Sequence, residues 1–251
     1  MPRLGHFSSR ALNGIGLRPP VTIILNSNFD QSSVGTITDS SVSGFTFSTN
    51  PTTPTIDTTI KKFGASSIKF TPNNVEATLQ CVDSQTAGAA YSLAGVDATI
   101  EMWIYINQST YQWLDLFWWS NTLIRLNGPI GSASFSLAVS RVADPYAWNP
   151  ISLSGGGGLV INTDEWIHIA LVKKESPTRK ITMYCNGIYA GESAIGSTLD
   201  IIPNGPRPMG FGGGAGAGYL QPTSFNIDSI RITKGAALYT SGFQVPSTAF
   251  Y

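Results

Sequence analysis

The stretch ITMYCNGIYAG, residues 181–191, decides the local fold most clearly. Asn186-Gly187 separates two short runs rich in apolar side chains. A two-residue type I′ turn needs positive φ at both central positions, and Asn-Gly adopts that conformation more readily than most pairs. The stretch therefore predicts a tight antiparallel β-hairpin. Cys185 alternates with Ile181 and Met183, which indicates a buried thiol.

The neighbouring segments extend this pattern into a sheet. WIHIALVKK (166–174) is apolar on both sides of an extended chain, which indicates a strand covered on both faces. Short apolar runs between turn signals recur from Val21 onward, as is typical of sandwiches and barrels. A chain of 251 residues is long enough to give one such domain a full core. We therefore expect an all-β antiparallel sandwich over residues 21–251.

Composition limits the partners that the chain can have. The formal net charge is zero, so no field gathers phosphates, and we expect no nucleic-acid partner. No apolar run approaches the roughly 20 residues that span a membrane, and the N-terminus lacks the apolar core of a secretory signal. The two cysteines have no C-x-x-C spacing, which argues against a redox or metal site. We expect a soluble protein made in a reducing compartment.

Residues 1–20 (MPRLGHFSSRALNGIGLRPP) form a separate region, the N-terminal arm. The arm shows neither helical nor strand periodicity, so its sequence predicts no structure in isolation. It holds three of the 15 basic residues and none of the 15 acidic ones, which leaves the rest of the chain at −3. We expect the arm to gain order on a neighbouring protein. Its candidate contacts are the basic Arg3, Arg10 and Arg18 and the apolar Leu4, Phe7, Leu12 and Ile15.

Five segments, taken in chain order, resemble the laminin-G-like branch of the concanavalin A-like lectin/glucanase jelly rolls. That family places a G-x-x-S strand, a T-I-E-x-W strand, a W-x-H strand, an N-G hairpin and an I-D-x-x-R-I strand in this order. The matching segments are KKFGASSIKF (61–70), TIEMWIYI (99–106), WIHIALVKK (166–174), ITMYCNGIYAG (181–191) and NIDSIRITKGAALYTSGF (226–243). The resemblance implies a concanavalin A-like jelly roll.

Both ends of the predicted domain resemble one group within this family, the domains found in tailed-bacteriophage structural proteins. KGAALYTSGFQVPSTAF (234–250) is similar to the ending K-G-x-A-R-Y-T-x-x-F-x-x-P of such domains in tailed-bacteriophage structural proteins, with Leu238 where arginine is usual. IILNSNFD (23–30) and TDSS (38–41) are similar to the opening of those domains. The resemblance implies a virion protein made in the host cytoplasm, present in several copies as a capsid decoration or a tail-associated adhesin, with other virion proteins as partners. The alternative is a free carbohydrate-binding module that recognises a surface glycan.

The segment YQWLDLFWWS (111–120) offers a candidate surface for a glycan or a protein partner. On a regular strand Trp113, Asp115 and Phe117 face one way, and Leu114, Leu116 and Trp118 face the other. One set belongs to the core, and core packing of most of these rings is the default. The other set could stack on sugars beside hydrogen-bonding groups. The candidate residues are Trp113, Asp115, Trp118, Trp119 and Asn121.

Calcium is a cofactor that the family resemblance implies but that the fold does not require. Many of its members hold one structural ion between the first strands and the closing strand. The matching acids are Asp39 and Asp228, with Asp30 close by. Carboxylate and carbonyl oxygens suit a cation that takes 6–8 oxygen ligands. The same Asp228 could instead pair with Arg231 or with a backbone amide.

Catalysis is not expected. Glycoside hydrolases need two carboxylates about 5–9.5 Å apart, whereas Asp97 and Glu101 on one extended strand would be about 13 Å apart. His168 could serve as a general base, but no Ser or Cys nucleophile pattern accompanies it, so a packed histidine with a backbone partner is the favoured interpretation. A glycoside hydrolase is therefore the least favoured of the three functions.

Overall fold

A computed structural model describes residues 21–30, 33, 37–50, 54–71, 78–85, 89–107, 113–119, 122–127, 136–141, 151–154, 161–194, 208–212 and 224–250. Within these ranges the strands form two antiparallel sheets that face each other, and the only helical elements are two short 3-10 turns, Val82–Gln85 and Ala89–Tyr91. The predicted all-β sandwich is confirmed. The N-terminal arm lies outside the described residues.

Sheet A has eight described strands. They are β1 (Thr22–Ser27), β3 (Thr55–Asp57), β4 (Ser67–Phe70), β6 (Ala98–Ile106), β11 (Trp166–Lys174), β12 (Lys180–Cys185), β13 (Ile188–Ala194) and β15 (Phe225–Lys234). Their order in the sheet is β13-β12-β11-β6-β15-β4-β3, and β1 also pairs with β15. All five segments that carried the family resemblance contribute to this sheet.

Sheet B has seven described strands. They are β2 (Phe47–Asn50), β5 (Thr78–Cys81), β7 (Trp113–Trp119), β8 (Thr122–Asn127), β9 (Ser136–Arg141), β10 (Ile151–Ser154) and β14 (Met209–Phe211). Their order in the sheet is β10-β9-β8-β7-β14-β5-β2. Most strands in both sheets pair with strands distant in sequence, as in a jelly roll rather than a simple meander.

The core lies between the sheets and is built from their inward-facing side chains. Ile100, Met102 and Ile104 of β6 face Trp119 and Phe211 of sheet B across one continuous buried cluster. Both cysteines are buried and free, and burial raises the pKa of the Cys185 thiol to about 12. The predicted buried thiol is confirmed, and its raised pKa keeps the group protonated and poorly nucleophilic at neutral pH.

The Asn-Gly hairpin joins β12 to β13 as predicted. Asn186 and Gly187 have φ values of 49° and 75°, as a type I′ turn requires. A Cβ atom on Gly187 would overlap the carbonyl group of Phe243, so glycine is needed there for a second reason. The hairpin is thus a docking point for the segment that follows β15.

That segment, residues 235–250, is called the C-terminal tail and lies on the outer face of sheet A. The Phe243 amide donates a hydrogen bond of 2.9 Å to the Gly187 carbonyl. The rings of Tyr239 and Phe243 stack 3.6 Å apart, and they pack against Ala170 and Tyr184. The tail therefore covers β11, which is buried on both faces as its sequence predicted.

Candidate functional site

A cluster of polar side chains lies beneath the tail, at the centre of the outer face of sheet A. We call it the clamp, and its members are Glu101, His168, Arg231 and Tyr239. Arg231 donates to Glu101 Oε1 through Nε at 2.9 Å and Nη2 at 2.6 Å. The Tyr239 hydroxyl donates to Oε2 at 2.7 Å, and His168 Nε2 lies 3.2 Å from the same oxygen. One carboxylate thus connects three strands to the tail.

The clamp keeps a fully buried carboxylate ionised. Burial by itself would raise the pKa of Glu101, but the hydrogen bond with His168, the charge of Arg231 and the hydrogen bond from Tyr239 together lower it. Burial and the charge of Glu101 raise the pKa of Tyr239, so its hydroxyl remains a donor at any physiological pH. Every oxygen of the Glu101 carboxylate has a donor, so the cluster stabilises the fold.

His168 is a packed residue and not an exposed general base. Its ring is fully buried among Trp103, Phe243 and Phe250, at centroid distances of 5.1, 5.8 and 6.0 Å. The predicted packed histidine is confirmed. Its partner is the Glu101 carboxylate, however, so the backbone partner that we expected for the ring was wrong. Within the described residues Nδ1 has no hydrogen-bond partner.

Three of the five residues proposed as a glycan or partner surface, Asp115, Trp118 and Trp119, are buried. Trp119 belongs to the core, and Trp118 is 5% exposed, with its Nε1 donating to the Gly212 carbonyl at 3.1 Å. Asp115 is buried in a two-point ion pair with Arg125. The side chain of Trp113 and all of Asn121 lie outside the described residues.

The prediction of which side chains of β7 point to the same face of the strand was also wrong beyond Asp115. A bulge opposite β8, between Asp115 and Phe117, breaks the alternation of side chains. Leu116 and Phe117 therefore both enter the core. The bulge inserts one residue and returns Trp119 to the inner face, which a period-two pattern cannot represent.

The three carboxylates considered for calcium each accept hydrogen bonds from backbone amides. Asp39 accepts from Asn26 at 3.0 Å, and from Ser41 and Phe45 at 2.9 and 3.0 Å. Asp30 accepts from the amides of residues 65 and 66. Asp228 accepts hydrogen bonds from the amides of residues 62 and 63 at 2.7 and 2.9 Å. The sequence allowed Asp228 either a backbone amide or Arg231 as its partner. The structure shows the backbone amides, because Arg231 pairs with Glu101.

Asp228 is nevertheless an unusual carboxylate. Burial raises its pKa to about 6, against the opposing hydrogen bonds from the amides of Phe63 and Lys62, and nearby Asp30 raises it further. Its Oδ1 is buried and has no partner within the described ranges. The described residues contain no group of three or more His, Cys, Asp or Glu side chains placed to hold a metal. Calcium binding stays a prediction. Of the three predicted carboxylates, Asp30 lies close enough to Asp228 to affect its pKa.

A groove opens where the tail meets the β12–β13 hairpin, and we call it the rim groove. Its floor is formed by Val172, Thr182 and Tyr184. Tyr189, with 49% of its surface exposed, lies on the hairpin side, and its ring meets that of Tyr184 edge to face at 6.3 Å. The remaining lining residues are Lys174, Lys180, Glu192, Ala237, Tyr239, Thr240 and Ser241.

The rim groove combines an aromatic ring with hydroxyl and charged groups. Lys180 Nζ donates to Glu192 Oε2 at 2.6 Å, and this hydrogen bond raises the pKa of the lysine. The cavity volume is about 140 Å³. Typical pockets for drug-sized ligands measure roughly 300–1,000 Å³, so the groove suits a single ring with the rest of a ligand in solvent.

Two further cavities lie beside β1. One, of about 540 Å³, is lined by the apolar Val21, Ile23 and Val42 together with four polar residues. The other, of about 330 Å³, is polar and includes Asn26 and Asp30. Neither presents an exposed aromatic ring beside hydroxyl and charged groups, so the rim groove is the better candidate for a small polar ligand.

Comparisons with known proteins give the family and the fold. The model of the family Laminin_G_3, described as the concanavalin A-like lectin/glucanases superfamily, matches residues 82–238, which is more than half of the chain. None of the curated proteins matches the sequence. Among the described residues, no helix is long and apolar enough to cross a membrane.

Solved structures share the fold at low sequence identity. The binding domain of Paraclostridial Mosquitocidal Protein 1 is 16% identical, with a TM-score of 0.60, and the match covers 87% of this chain and 50% of that one. The botulinum neurotoxin serotype D ligand binding domain, in complex with N-acetylneuraminic acid, is 10% identical, with a TM-score of 0.55 and coverages of 90% and 48%. The chain thus spans about half the length of these toxin domains.

A third structure matches over almost its whole length. Domain 4 of AbnA, a GH43 extracellular arabinanase from Geobacillus stearothermophilus, in complex with arabinotriose, is 16% identical with a TM-score of 0.56. The match covers 86% of this chain and 94% of that domain. At these identities the three matches show the fold.

Sequence reasoning did not find the rim groove. Tyr184 and Tyr189 flank the Asn-Gly turn, and their cross-strand pairing follows from the hairpin that was predicted. The hairpin register could therefore have placed both rings on one face. The tail, which forms the opposite wall, could not have been placed from a local pattern.

Proposed function

Because the chain belongs to the concanavalin A-like lectin/glucanases superfamily, we propose that it is a non-enzymatic recognition protein of a phage virion. In this proposal the N-terminal arm docks on another virion protein, and the sandwich displays a carbohydrate-binding groove. The capsid and the tail of the particle are both suitable positions. The observation that carries the recognition role is the rim groove.

Carbohydrate recognition is supported by the chemistry of that groove. Protein sites for sugars use aromatic rings against the apolar face of the sugar and polar groups toward its hydroxyls. Tyr189 provides a half-exposed ring, while Thr182, Thr240 and Ser241 provide hydroxyl groups around it. Solved structures of the same fold, with an arabinotriose and an N-acetylneuraminic acid ligand respectively, support this choice of ligand class.

A non-enzymatic role is supported by what the buried acids do. Glu101 is bound by three side chains of the clamp, and Asp115 is paired with Arg125. Neither carboxylate is exposed to a substrate. The described lining of the groove has one carboxylate, Glu192, whereas glycoside hydrolysis uses two.

Docking through the arm is supported by its composition. Residues 1–20 show neither helical nor strand periodicity, so they are expected to gain order on a partner. The arm carries three positive charges and the remainder of the chain carries a net charge of −3, which suits an arm that lies on a copy of the chain or on another acidic protein.

The proposal that the protein belongs to a virion is supported by the resemblance of both ends of the domain to phage structural proteins. One of these ends has a structural role here, because Tyr239 and Phe243 of the tail close the clamp. A free carbohydrate-binding module with the same fold would need the same closure. The match to domain 4 of an arabinanase, solved in complex with arabinotriose, favours this second candidate.

Deleting residues 1–20 separates the two candidates. We expect the shortened protein to unfold at the same temperature as the full chain and to bind the same members of a glycan array. We also expect it to be absent from particles assembled in its presence. Normal incorporation of the shortened protein would contradict docking through the arm, and a glycan array without binding by either form would contradict carbohydrate recognition.

A further inference from the structure

We propose that the rim groove selects an acidic saccharide, meaning a sugar that carries a carboxylate, and that Lys174 is the residue that selects it. This inference rests on the proposed function, because it assumes that the groove binds a carbohydrate. It adds the charge of the ligand and the residue that recognises the charge.

The first argument is the charge of the groove. Among the described residues, two lysines and one glutamate line it, which gives them a formal charge of +1 at neutral pH. Glu192 is engaged by Lys180 at 2.6 Å. Glu175, which follows Lys174 in the chain, is engaged by Lys173 and by Arg179, the latter at 3.0 Å. Within the described residues, no carboxylate is paired with Lys174.

The second argument is the position of Lys174 in the sheet. Lys174 of β11 lies directly opposite Lys180 of β12 in the antiparallel register. Like charges at directly opposed positions destabilise a sheet. Glu192 offsets one of these charges, and the other remains. An anion bound between the tail and the hairpin would offset the second charge, so an arrangement that is unfavourable for folding alone becomes favourable on binding.

The third argument is the placement of the aromatic ring relative to the charge. Tyr189 and Lys174 line the same small cavity, and Tyr184 lies on its floor. A sugar ring stacked on Tyr189 could therefore direct a ring carboxylate toward the lysine ammonium group. The hydroxyl groups of Thr240 and Ser241 on the tail remain for the neutral part of the ring.

The test uses three matched pairs of methyl glycosides: glucuronide and glucoside, galacturonide and galactoside, mannuronide and mannoside. Members of a pair differ only in a carboxylate or a hydroxymethyl group. The full chain is titrated with each glycoside, and binding is monitored by NMR. At least one acidic glycoside should bind about two- to fivefold more tightly than its neutral partner, as expected for one partly exposed ion pair. The preference should decrease in about 1 M salt, where the screening length is near 3 Å.

Variants assign the preference to its residue. Lys174→Ala should abolish the preference and leave binding of the neutral glycoside unchanged. Lys61→Ala removes the same charge from an exposed site outside the groove and should leave the preference intact. Tyr189→Ala should weaken both members of each pair.

Each outcome bears on a different part of the account. Equal binding of acid and neutral glycosides by the wild type would overturn the acidic preference and leave carbohydrate recognition standing. An equal loss of preference in Lys174→Ala and Lys61→Ala would overturn the role of Lys174. No binding of any of the six glycosides would overturn both this inference and carbohydrate recognition in the groove.

Discussion

The outer face of sheet A has a covered centre and an open rim, and the same tail borders both. At the centre, Glu101 is fully buried and receives hydrogen bonds from side chains of the sheet and the tail. At the rim, Glu192 is exposed and has Lys180 as its partner. Buried charges need complete sets of partners, whereas exposed charges contribute little to stability and can exchange water for a ligand. The centre therefore holds the fold, and the rim is available for recognition.

The largest effect is expected from Glu101→Gln at the centre. The substitution leaves Arg231 without its charged partner, and breaking a buried ion pair costs about 3–5 kcal/mol. Because the pKa of Glu101 is lowered in the folded protein, its contribution is present above its unfolded pKa of 4.5 and is lost as the pH falls further. Urea unfolding should therefore show a large difference in unfolding free energy between the wild type and Glu101→Gln at pH 7, and a small difference at pH 3.

Glu192→Gln is the matched control at the rim. This substitution removes the same charge from an exposed pair, so the free energy of unfolding should change by no more than about 0.5 kcal/mol. Equal destabilisation by the two substitutions would contradict the distinction between centre and rim.

The next largest effect is expected from Asp228, a buried carboxylate that has no cationic partner among the described residues. Its folded pKa of about 6 lies above its unfolded value of 3.8, so its stabilising contribution is present below about pH 4 and is lost as the pH rises through 6. Two pKa units correspond to about 2–3 kcal/mol. Asp228→Asn should remove this decrease in stability between pH 4 and 6, measured by urea unfolding in a buffer with a calcium chelator.

The same pair of proteins tests the calcium prediction. If calcium binds at Asp228, adding it should raise the unfolding temperature of the wild type and not that of Asp228→Asn. A pH profile that is the same for both proteins in chelator would contradict the raised pKa of Asp228.

A smaller effect is expected from removing one hydroxyl of the clamp. Tyr239→Phe keeps the ring stacked on Phe243 but deletes the hydrogen bond to Glu101, and hydrogen bonds to charged groups contribute about 1.5–3 kcal/mol. Tyr189→Phe removes a hydroxyl at the rim and should leave the unfolding free energy within about 0.5 kcal/mol of the wild type. Thermal and urea unfolding measure both variants. A larger loss of stability in Tyr189→Phe than in Tyr239→Phe would contradict the account.

The fold could be predicted because its signals are local. The Asn-Gly turn, the apolar β11 and the family segments each specify a strand or a hairpin within a few residues, and the structure confirms them. The packed state of His168 was also predicted, because no Ser or Cys nucleophile pattern accompanies it in the sequence. The bulge in β7 was missed, since a one-residue insertion changes the facing pattern without changing composition.

The partners of the buried charges could not be predicted, because they depend on strand order. Arg231 lies beside Glu101 only because β15 pairs with β6, although the two residues are 130 positions apart. Tyr239 reaches the same carboxylate only because the tail crosses the outer face of sheet A. The rim groove depends on the same path of the tail, so no local motif could have located it.

Glycan binding by Tyr189→Ala, measured beside its unfolding temperature, tests the central claim most directly. The account predicts that the variant keeps the unfolding temperature of the wild type and binds more weakly to every glycan that the wild type binds on an array. Undiminished glycan binding by a folded Tyr189→Ala protein would place recognition elsewhere and contradict the assignment of the rim.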